Sequence, residues 1–400
     1  MNRIQTLSRT STLLAVTALS GCSTLEDLLL RDAGPAAERV VPVEERPIAS
    51  AIDANRFILR SEHQSVIGEP QVVLAEASNA LPDFAREYGL GYDEVLEANP
   101  DVDIWLPGEN TPVLLPTQFV LPDVPREGIV LNIASKRLFY FPADGVIRDQ
   151  ETGELLSQVV LTYPIGIGRV GWETPLGSTE VTAKAVDPHW WVPASVRREH
   201  AEMGDPLPNV VPPGPDNPLG SRVLKLGMPG YLIHGTNQPS GVGMRVSHGC
   251  IRLYPEDVEF LYELVGIGVP VTIINEPYLL GRIGDEWYFE SHAPLEDDAI
   301  DPAERLDALL ASVADEMPAP LMDHVRSLAS DPSGVPVRIA EYDSQEVIAR
   351  LRRVENTVVR DPDLPSREEL RAMLDEVVAD AEEEETADLA DDGDIEGSPP

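Results

Sequence analysis

The chain has 400 residues, 42% of them hydrophobic, which is enough for two or three domains with ordinary cores. Its 69 acidic residues outnumber 30 basic residues and give a formal net charge of −39. An acidic surface of that size argues against nucleic acid as a partner and against electrostatic docking on anionic lipid, because both need a basic face.

The first residues have the pattern of an export signal. Arg3 and Arg9 precede an apolar run at 13–19 that is too short to span a bilayer. The following LSGC, ending at Cys22, resembles the lipobox of bacterial lipoproteins. That resemblance implies a signal peptide at 1–21 and a lipid anchor on Cys22, and serine rather than aspartate as the next residue favours the outer membrane. We therefore expect a periplasmic, lipid-anchored protein; an ordinary cleaved signal with an accidental cysteine is the alternative.

Two segments precede the main body of the chain. Residues 22–60 are rich in Pro, Glu, Ala and Arg with little periodicity, which predicts a flexible tether. Within 61–120, the runs LPDFAREYGL and YDEVLEANP place apolar residues at helical spacing. Together with the closing run VLLP they resemble a LysM module, a small α/β unit that binds glycans containing N-acetylglucosamine. A helical spacer without sugar affinity is the alternative.

Residues 127–275 change to an apolar period of two, which predicts strands. A hairpin at IVLNIASKRLFYF is followed by the strand-like runs VVLTYPIGIG, GSTEVTAKAV, GYLIHGT and VPVTIIN. One clear helix, YPEDVEFLYELV, has Pro255 in its first turn and Val258, Leu261 and Val265 as its expected buried stripe. This region therefore predicts a mostly β (α+β) domain with one or two helices.

The C-terminal part of the chain divides into three segments. Residues 276–295 predict a strand extension, with a strand at 287–290. Residues 296–360 are helical in pattern, in LDALLASVADEM and SQEVIARLRRVEN. Residues 361–400 are strongly acidic and predict a largely disordered tail.

The stretch YLIHGTNQPSGVGMRVSHGCIRL contains His234, His248 and Cys250 within seventeen residues. A nearby imidazole can take the proton of a thiol and so produce an attacking thiolate. Glycine-rich backbone leaves amide N–H groups accessible to a developing oxyanion. Two other interpretations exist: Cys250 as a small apolar core residue, or a zinc site, for which the tight ligand pairs typical of zinc are missing.

HGT followed by SHGCIR resembles the signature of the L,D-transpeptidase catalytic domain of the YkuD type, in its ErfK/YbiS-like form. The stretches TPLG, DPHWWVP, GPDNPLG and PEDVEFLYELV occur in the same order as in that family. The resemblance covers 127–275. It implies a catalytic domain of β-sandwich or barrel-like form that needs no metal and no organic cofactor.

The resemblance also implies roles for individual residues. Cys250 corresponds to the nucleophile and His234 to the group that takes and returns its proton. Gly235 stands where some members have serine, which implies that a backbone carbonyl orients the imidazole. His248 is expected to support the site, and the N–H groups of Gly249 and Cys250 to face the oxyanion.

Four residues are expected on the substrate side. Arg252 has the bidentate fork that suits a substrate carboxylate; an ordinary surface ion pair is its alternative. Trp190 and Trp191 are expected to cap the cleft, and the alternative is that they only pack their own loop. Ser247 is expected to contact substrate.

The implied substrate is peptidoglycan. The donor would be a tetrapeptide stem whose diamino acid is attacked at its L-centre carbonyl, with release of D-alanine and formation of a thioester. An amine acceptor would give a 3→3 crosslink or anchor an outer-membrane protein to the wall. The alternatives are a carboxypeptidase or amidase of the same fold, and a non-catalytic lipoprotein that tethers the wall. We expect a monomer.

Overall fold

The computed structural model of the protein describes residues 48–50, 55–339 and 351–358. The predicted signal peptide, the lipidation candidate Cys22, most of the predicted tether and the acidic tail at 361–400 lie outside the described residues.

The N-terminal part consists of short strands and two helices. They are β1 (Arg56–Leu59), β2 (Val66–Gly68), β3 (Gln71–Leu74), α1 (Leu81–Glu87), α2 (Tyr92–Ala98), β4 (Pro112–Leu115) and β5 (Gln118–Val120). β3 pairs antiparallel with β4, so the two helices lie between paired strands in the chain. Each helix is capped at its N-terminus by a carboxylate from its own first turn. Asp83 accepts the backbone N–H of Ala80, just before α1, and Glu94 accepts that of Gly91, just before α2.

The central part supplies most of the strands. They are β6 (Gly128–Asn132), β7 (Arg137–Phe141), β8 (Val146–Arg148), β9 (Leu155–Pro164), β10 (Ile167–Gly168), β11 (Gly177–Val186), β12 (Trp190–Trp191), β13 (Val210–Val211), β14 (Arg222–Leu226), β15 (Leu232–His234), β16 (Arg245–Ser247), β17 (Ile251–Arg252) and β18 (Pro270–Ile274). Two helices, α3 (Ala194–Glu202) and α4 (Pro255–Leu264), lie among them. The main sheet has the order β1-β9-β7-β6-β18-β11-β14-β15-β17, with β8 added beside β9.

The two faces of the main sheet contact two different cores. In β6, Ile129 and Leu131 belong to the core that also contains α4, whereas Val130 belongs to the core formed with α1 and α2. Successive side chains of a strand point to opposite faces, so β6 is buried along its whole length. The predicted hairpin of β6 and β7 and the buried stripe of α4 are both confirmed.

The C-terminal part forms a third core. Its elements are β19 (Tyr278–Ile283), β20 (Glu286–Ser291), α5 (Pro302–Ser312), α6 (Ala319–Leu328) and β21 (Val337–Ile339). The last strand, β22 (Arg352–Arg353), pairs with β3 instead. Strands β19, β20 and β21 form a small sheet, and α5 and α6 pack against it through Leu306, Leu310 and Val325. None of the described helices has the length and apolar character needed to cross a membrane.

Three segments differ from the sequence-based expectation. Residues 56–59, expected in the tether, form β1 and pair with β9, because Phe57 and Leu59 reach the core with α1 and α2. Residues 337–339 and 352–353, expected to be helical, add as strands to β20 and β3. In each case an unpaired sheet edge offers backbone hydrogen bonds that the local apolar pattern does not reveal.

Candidate active site

The parallel pairing of β15 with β17 creates the site. Ile233 lies opposite Ile251, and His234 lies opposite Arg252. Side chains two apart on a strand share a face, and so do residues opposite each other in a ladder. Cys250, directly before β17, is therefore brought to the same side as His234 and Arg252, although sixteen positions separate it from the histidine.

The His234 imidazole is buried and held by its neighbour. Its Nδ1 lies 2.6 Å from the carbonyl oxygen of Gly235. A carbonyl only accepts, so Nδ1 carries the proton of the neutral ring and Nε2 remains the basic nitrogen. Burial, and next the positive charge of Arg252, lower the pKa of His234 to about 3. The imidazole is therefore neutral near pH 7, with the lone pair on Nε2.

The thiol of Cys250 is free and lies 3.6 Å from the carbonyl oxygen of Gly230. Burial raises its pKa, while a hydrogen bond involving the Leu232 backbone and the charge of Arg252 oppose the rise. The resting thiol is thus protonated and needs a base before it can attack. The His, Cys, Asp and Glu side chains of the described part include no group of three that could hold a metal ion.

Two hydroxyl groups shape the turn that carries Cys250. The Oγ of Ser247 donates to the Cys250 carbonyl oxygen at 2.6 Å and accepts the Gly249 N–H at 3.1 Å. The Oγ1 of Thr174, in the TPLG stretch, donates to the Gly249 carbonyl oxygen at 3.0 Å and accepts the Gly168 N–H at 3.1 Å. Gly249 has a φ of +98°, a conformation that favours glycine.

These contacts bear on two sequence-based expectations. The N–H of Gly249, expected to face the oxyanion, is already bonded to Ser247. Ser247, expected to contact substrate, is 1% exposed and holds the turn from inside. The reason is local. The chain reverses direction at Gly249, and this turn brings the Gly249 N–H and the Cys250 carbonyl within hydrogen-bond distance of the Ser247 hydroxyl.

His248 points toward the insertion that contains α3. Its Nε2 lies 2.9 Å from Oε2 of Glu199, and the guanidinium of Arg169 pairs with Oε1 of the same carboxylate. The ring of Trp172 meets the imidazole edge-on at 4.8 Å between centroids. Sequence reasoning missed Glu199 and Arg169, because no spacing relates them to His248. Both residues reach it only through the fold.

The other expected residues of the substrate side are placed as follows. Arg252 has no carboxylate partner among the described residues, and its Nε is buried without a hydrogen bond to any of them. No carboxylate of the described residues supports its alternative interpretation as a surface ion pair. Trp190 is half-buried in β12, and Trp191 is 74% exposed. The fold brings Cys250, His234, Gly235 and Arg252 together, with His248 in a neighbouring polar cluster.

A protonated thiol directly before β17 and a buried neutral imidazole on the paired strand β15 are the groups that cysteine-dependent acyl transfer requires. Residues 126–273 match the family model of the L,D-transpeptidase catalytic domain, YkuD. The chain is 40% identical over 250 residues to the probable L,D-transpeptidase YbiS of Escherichia coli K12, covering 62% of this chain and 78% of that protein.

Two further relatives extend the comparison. The probable L,D-transpeptidase YcfS of Escherichia coli K12 is 36% identical over 307 residues, covering 74% of this chain and 91% of that protein. The probable L,D-transpeptidase ErfK/SrfK of Salmonella typhimurium LT2 is 40% identical over 244 residues, covering 60% and 74%. The chain belongs to the L,D-transpeptidase family and is an acyltransferase that uses a cysteine nucleophile. Two predictions from the sequence are thereby confirmed: the L,D-transpeptidase catalytic domain and its mostly β fold.

Proposed function

We propose that the chain is a peptidoglycan L,D-transpeptidase with Cys250 as the nucleophile and His234 as the general base. The observation that carries this proposal is the position of His234 at the end of β15 and of Cys250 directly before the paired strand β17, with the imidazole neutral and its Nδ1 bonded to Gly235. We therefore do not assign the base to His248, although that residue is closer in sequence. His248 is bonded to Glu199 instead.

The proposed acylation step moves one proton twice. Nε2 of His234 takes the thiol proton, and the Cys250 sulfur attacks the L-centre carbonyl of the diamino acid in a tetrapeptide stem. The C–N bond to D-alanine breaks, the imidazolium returns its proton to the departing amine, and a thioester remains. An amine acceptor then attacks the thioester, gives a proton to His234 and forms the new amide. The thiol is regenerated with that proton.

Two groups are assigned to the charges of the substrate. Because the Gly249 N–H is bonded to Ser247, the Cys250 N–H is the backbone donor that we assign to the oxyanion. Arg252 is assigned to a substrate carboxylate, which its partly buried guanidinium, whose Nε has no hydrogen-bond partner among the described residues, would bind through a fork geometry. Trp190 and Trp191 are proposed to cover the cleft.

The proposed location is the periplasm, with Cys22 as the lipid anchor in the outer membrane. The LSGC stretch and the short apolar run before it support this location. The unit with α1 and α2 is proposed to be LysM-like, supported by its strand–helix–helix–strand order from β3 to β4. We propose a monomer that acts on the wall.

The experiment follows adduct formation with a carbapenem by mass spectrometry of the intact protein. The wild type is expected to gain one adduct, Cys250→Ala none, and His234→Ala far less than His248→Ala. Equal losses in the two histidine variants would contradict the assignment of the base. Incubation with purified peptidoglycan then identifies the acceptor: a crosslinked muropeptide indicates an amine, and a shortened stem indicates water.

A further inference from the structure

The cluster around His248 has no role in the chemistry described so far. Glu199 lies on α3, Arg169 follows β10, and His248 stands two residues before the nucleophile. The side chains of the three residues are 26%, 37% and 24% exposed, respectively. Among the described residues, His200 of α3, with its ring centroid 6.2 Å from that of His248, and Arg252 of β17 complete the titratable and charged groups that face this imidazole.

The distances determine which ring nitrogen of His248 carries the proton. Nε2 lies 2.9 Å from Oε2 of Glu199 and 3.3 Å from Nη2 of Arg169. The guanidinium can only donate, so a hydrogen bond to Arg169 would need an unprotonated Nε2. The carboxylate can only accept, so a hydrogen bond to Glu199 needs a proton on Nε2. The shorter contact is to the charged acceptor, and Arg169 has Oε1 of Glu199 as its own acceptor. Nε2 is therefore the protonated nitrogen and Nδ1 of the neutral ring is an acceptor.

The same carboxylate also connects two parts of the fold. α3 belongs to an insertion that leaves the main sheet after β11 and returns to it at β14. Glu199 bonds this insertion to the turn that carries Cys250 and, through Arg169, to the segment after β10. One side chain thus fixes the orientation of His248 and the position of α3 beside the nucleophile.

We propose that Glu199 is a positioning residue for the reaction: it holds His248 in the Nε2–H tautomer, so that Nδ1 faces substrate as a hydrogen-bond acceptor, and it anchors α3 beside the catalytic turn. This inference rests on the proposed function. An accepting Nδ1 suits an N–H group of the stem peptide or of the incoming amine, and disfavours a carboxylate. Arg252 is the group that suits the carboxylate.

The test compares Glu199→Gln with Glu202→Gln, a control on the same helix whose side chain is exposed. A glutamine can face either a protonated or an unprotonated nitrogen, so it removes the preference while keeping the shape. The 15N shifts of the His248 ring, assigned with His248→Gln, are expected to show one tautomer in the wild type and in the control. They are expected to show a mixture in Glu199→Gln. Acylation by a stem tetrapeptide is expected to fall about tenfold in Glu199→Gln, as loss of one charge-assisted hydrogen bond allows.

Three outcomes separate this inference from the function it rests on. An unchanged tautomer and rate in Glu199→Gln would overturn the role of Glu199 while acylation by the wild type supports the proposed function. Absence of acylation in the wild type would overturn the function itself, and the 15N shifts would still report the tautomer. If Glu199→Gln does not fold, Arg169→Lys, which keeps the charge but not the fork, is expected to loosen the same carboxylate and lower the rate. An unchanged rate in that variant would contradict the proposal.

Discussion

Glu94 of α2 and Arg137 of β7 form a buried bidentate ion pair that joins the helical unit to the main sheet. Nε and Nη2 of Arg137 each lie 2.7 Å from an oxygen of Glu94. The guanidinium also donates to the Gly89 carbonyl oxygen and to Oγ1 of Thr162, and its centre lies 3.9 Å from the centroid of the Phe119 ring. These contacts satisfy the charges away from water. The helices are therefore part of the same folded unit as the catalytic sheet.

Replacing Arg137 with methionine is expected to destabilise the protein strongly. The substitution leaves the Glu94 carboxylate buried without its partner, a change that costs about 3–5 kcal/mol in other proteins. Urea unfolding followed by circular dichroism measures the loss. Arg148→Gln is the control: it breaks the Arg148–Glu62 pair, whose side chains are 51% and 56% exposed, and we expect the midpoint to stay unchanged. An equal loss of stability in the two variants would contradict the claim that burial makes the Glu94–Arg137 pair important.

Gly243→Ala is expected to disturb both the fold and the site. Gly243 has a φ of +86°, and an added Cβ would lie 2.4 Å from Gly91 Cα and from Tyr92 N. The surrounding loop joins His234 to Cys250, and its Val242 carbonyl accepts the Tyr92 N–H at 3.0 Å. We expect a stability loss of about 2 kcal/mol and slower carbapenem acylation, since the loop has to move away from α2.

The control for this variant is Gly241→Ala in the same loop. Its added Cβ would meet only the side chain of Val246, at 3.3 Å, and its φ is not positive. We expect little change in unfolding or acylation. A similar loss in both alanine variants would mean that the loop itself, and not its contact with α2, determines the effect.

The pH dependence of acylation tests the environment of His234. Burial lowers the pKa of this imidazole from the ordinary 6.5 to about 3 and raises that of the Cys250 thiol. Between those values both groups are neutral, which is the combination that the proposed mechanism requires. The rate of carbapenem acylation is therefore expected to change by no more than about twofold between pH 7 and pH 5. If the acylation rate instead fell with a midpoint near pH 6.5, while the circular dichroism of the protein stayed unchanged, the lowered pKa of His234 would be contradicted.

The same shift has a consequence for stability. The unfolded chain binds a proton at His234 near pH 6.5, whereas the folded chain does so only near pH 3. Acidification through this window therefore favours unfolding. In His234→Gln the free energy of unfolding is expected to depend less on pH across the window, which urea titrations at pH 7 and pH 5 would show.

Asp257 in the first turn of α4 behaves in the opposite way. Burial raises its pKa to about 7 from the ordinary 3.8, and its Oδ2 has no hydrogen-bond partner among the described residues. The folded chain thus keeps a proton that the unfolded chain releases, and stability decreases as pH rises from about 4 to 7. Asp257→Asn is expected to raise the free energy of unfolding at pH 8 by about 1–2 kcal/mol. Urea unfolding at pH 8 and pH 5 measures this gain in stability. A gain of equal size at pH 5 would contradict the raised pKa of Asp257 as its cause.

Local patterns in the sequence were sufficient for the central elements of the catalytic domain and for the class of chemistry. The period of two from residue 127 predicted the β6–β7 hairpin, and the spacing of Val258, Leu261 and Val265 predicted the buried face of α4. SHGC with an upstream HG identified the family. These features are readable because helix and strand periods determine which residues share a face, and because a reactive thiol needs particular neighbours along the chain.

Long-range pairing decided the rest. The bond from Glu199 to His248, the docking of α2 on Arg137 and the addition of Arg352–Arg353 to β3 join residues that no local period relates. The Gly249 N–H was expected to be free, and only the folded turn shows it bonded to Ser247. By itself the sequence therefore determined which residue types perform the chemistry. The tertiary structure decided their hydrogen-bond partners, because register and chain crossing determine which groups meet.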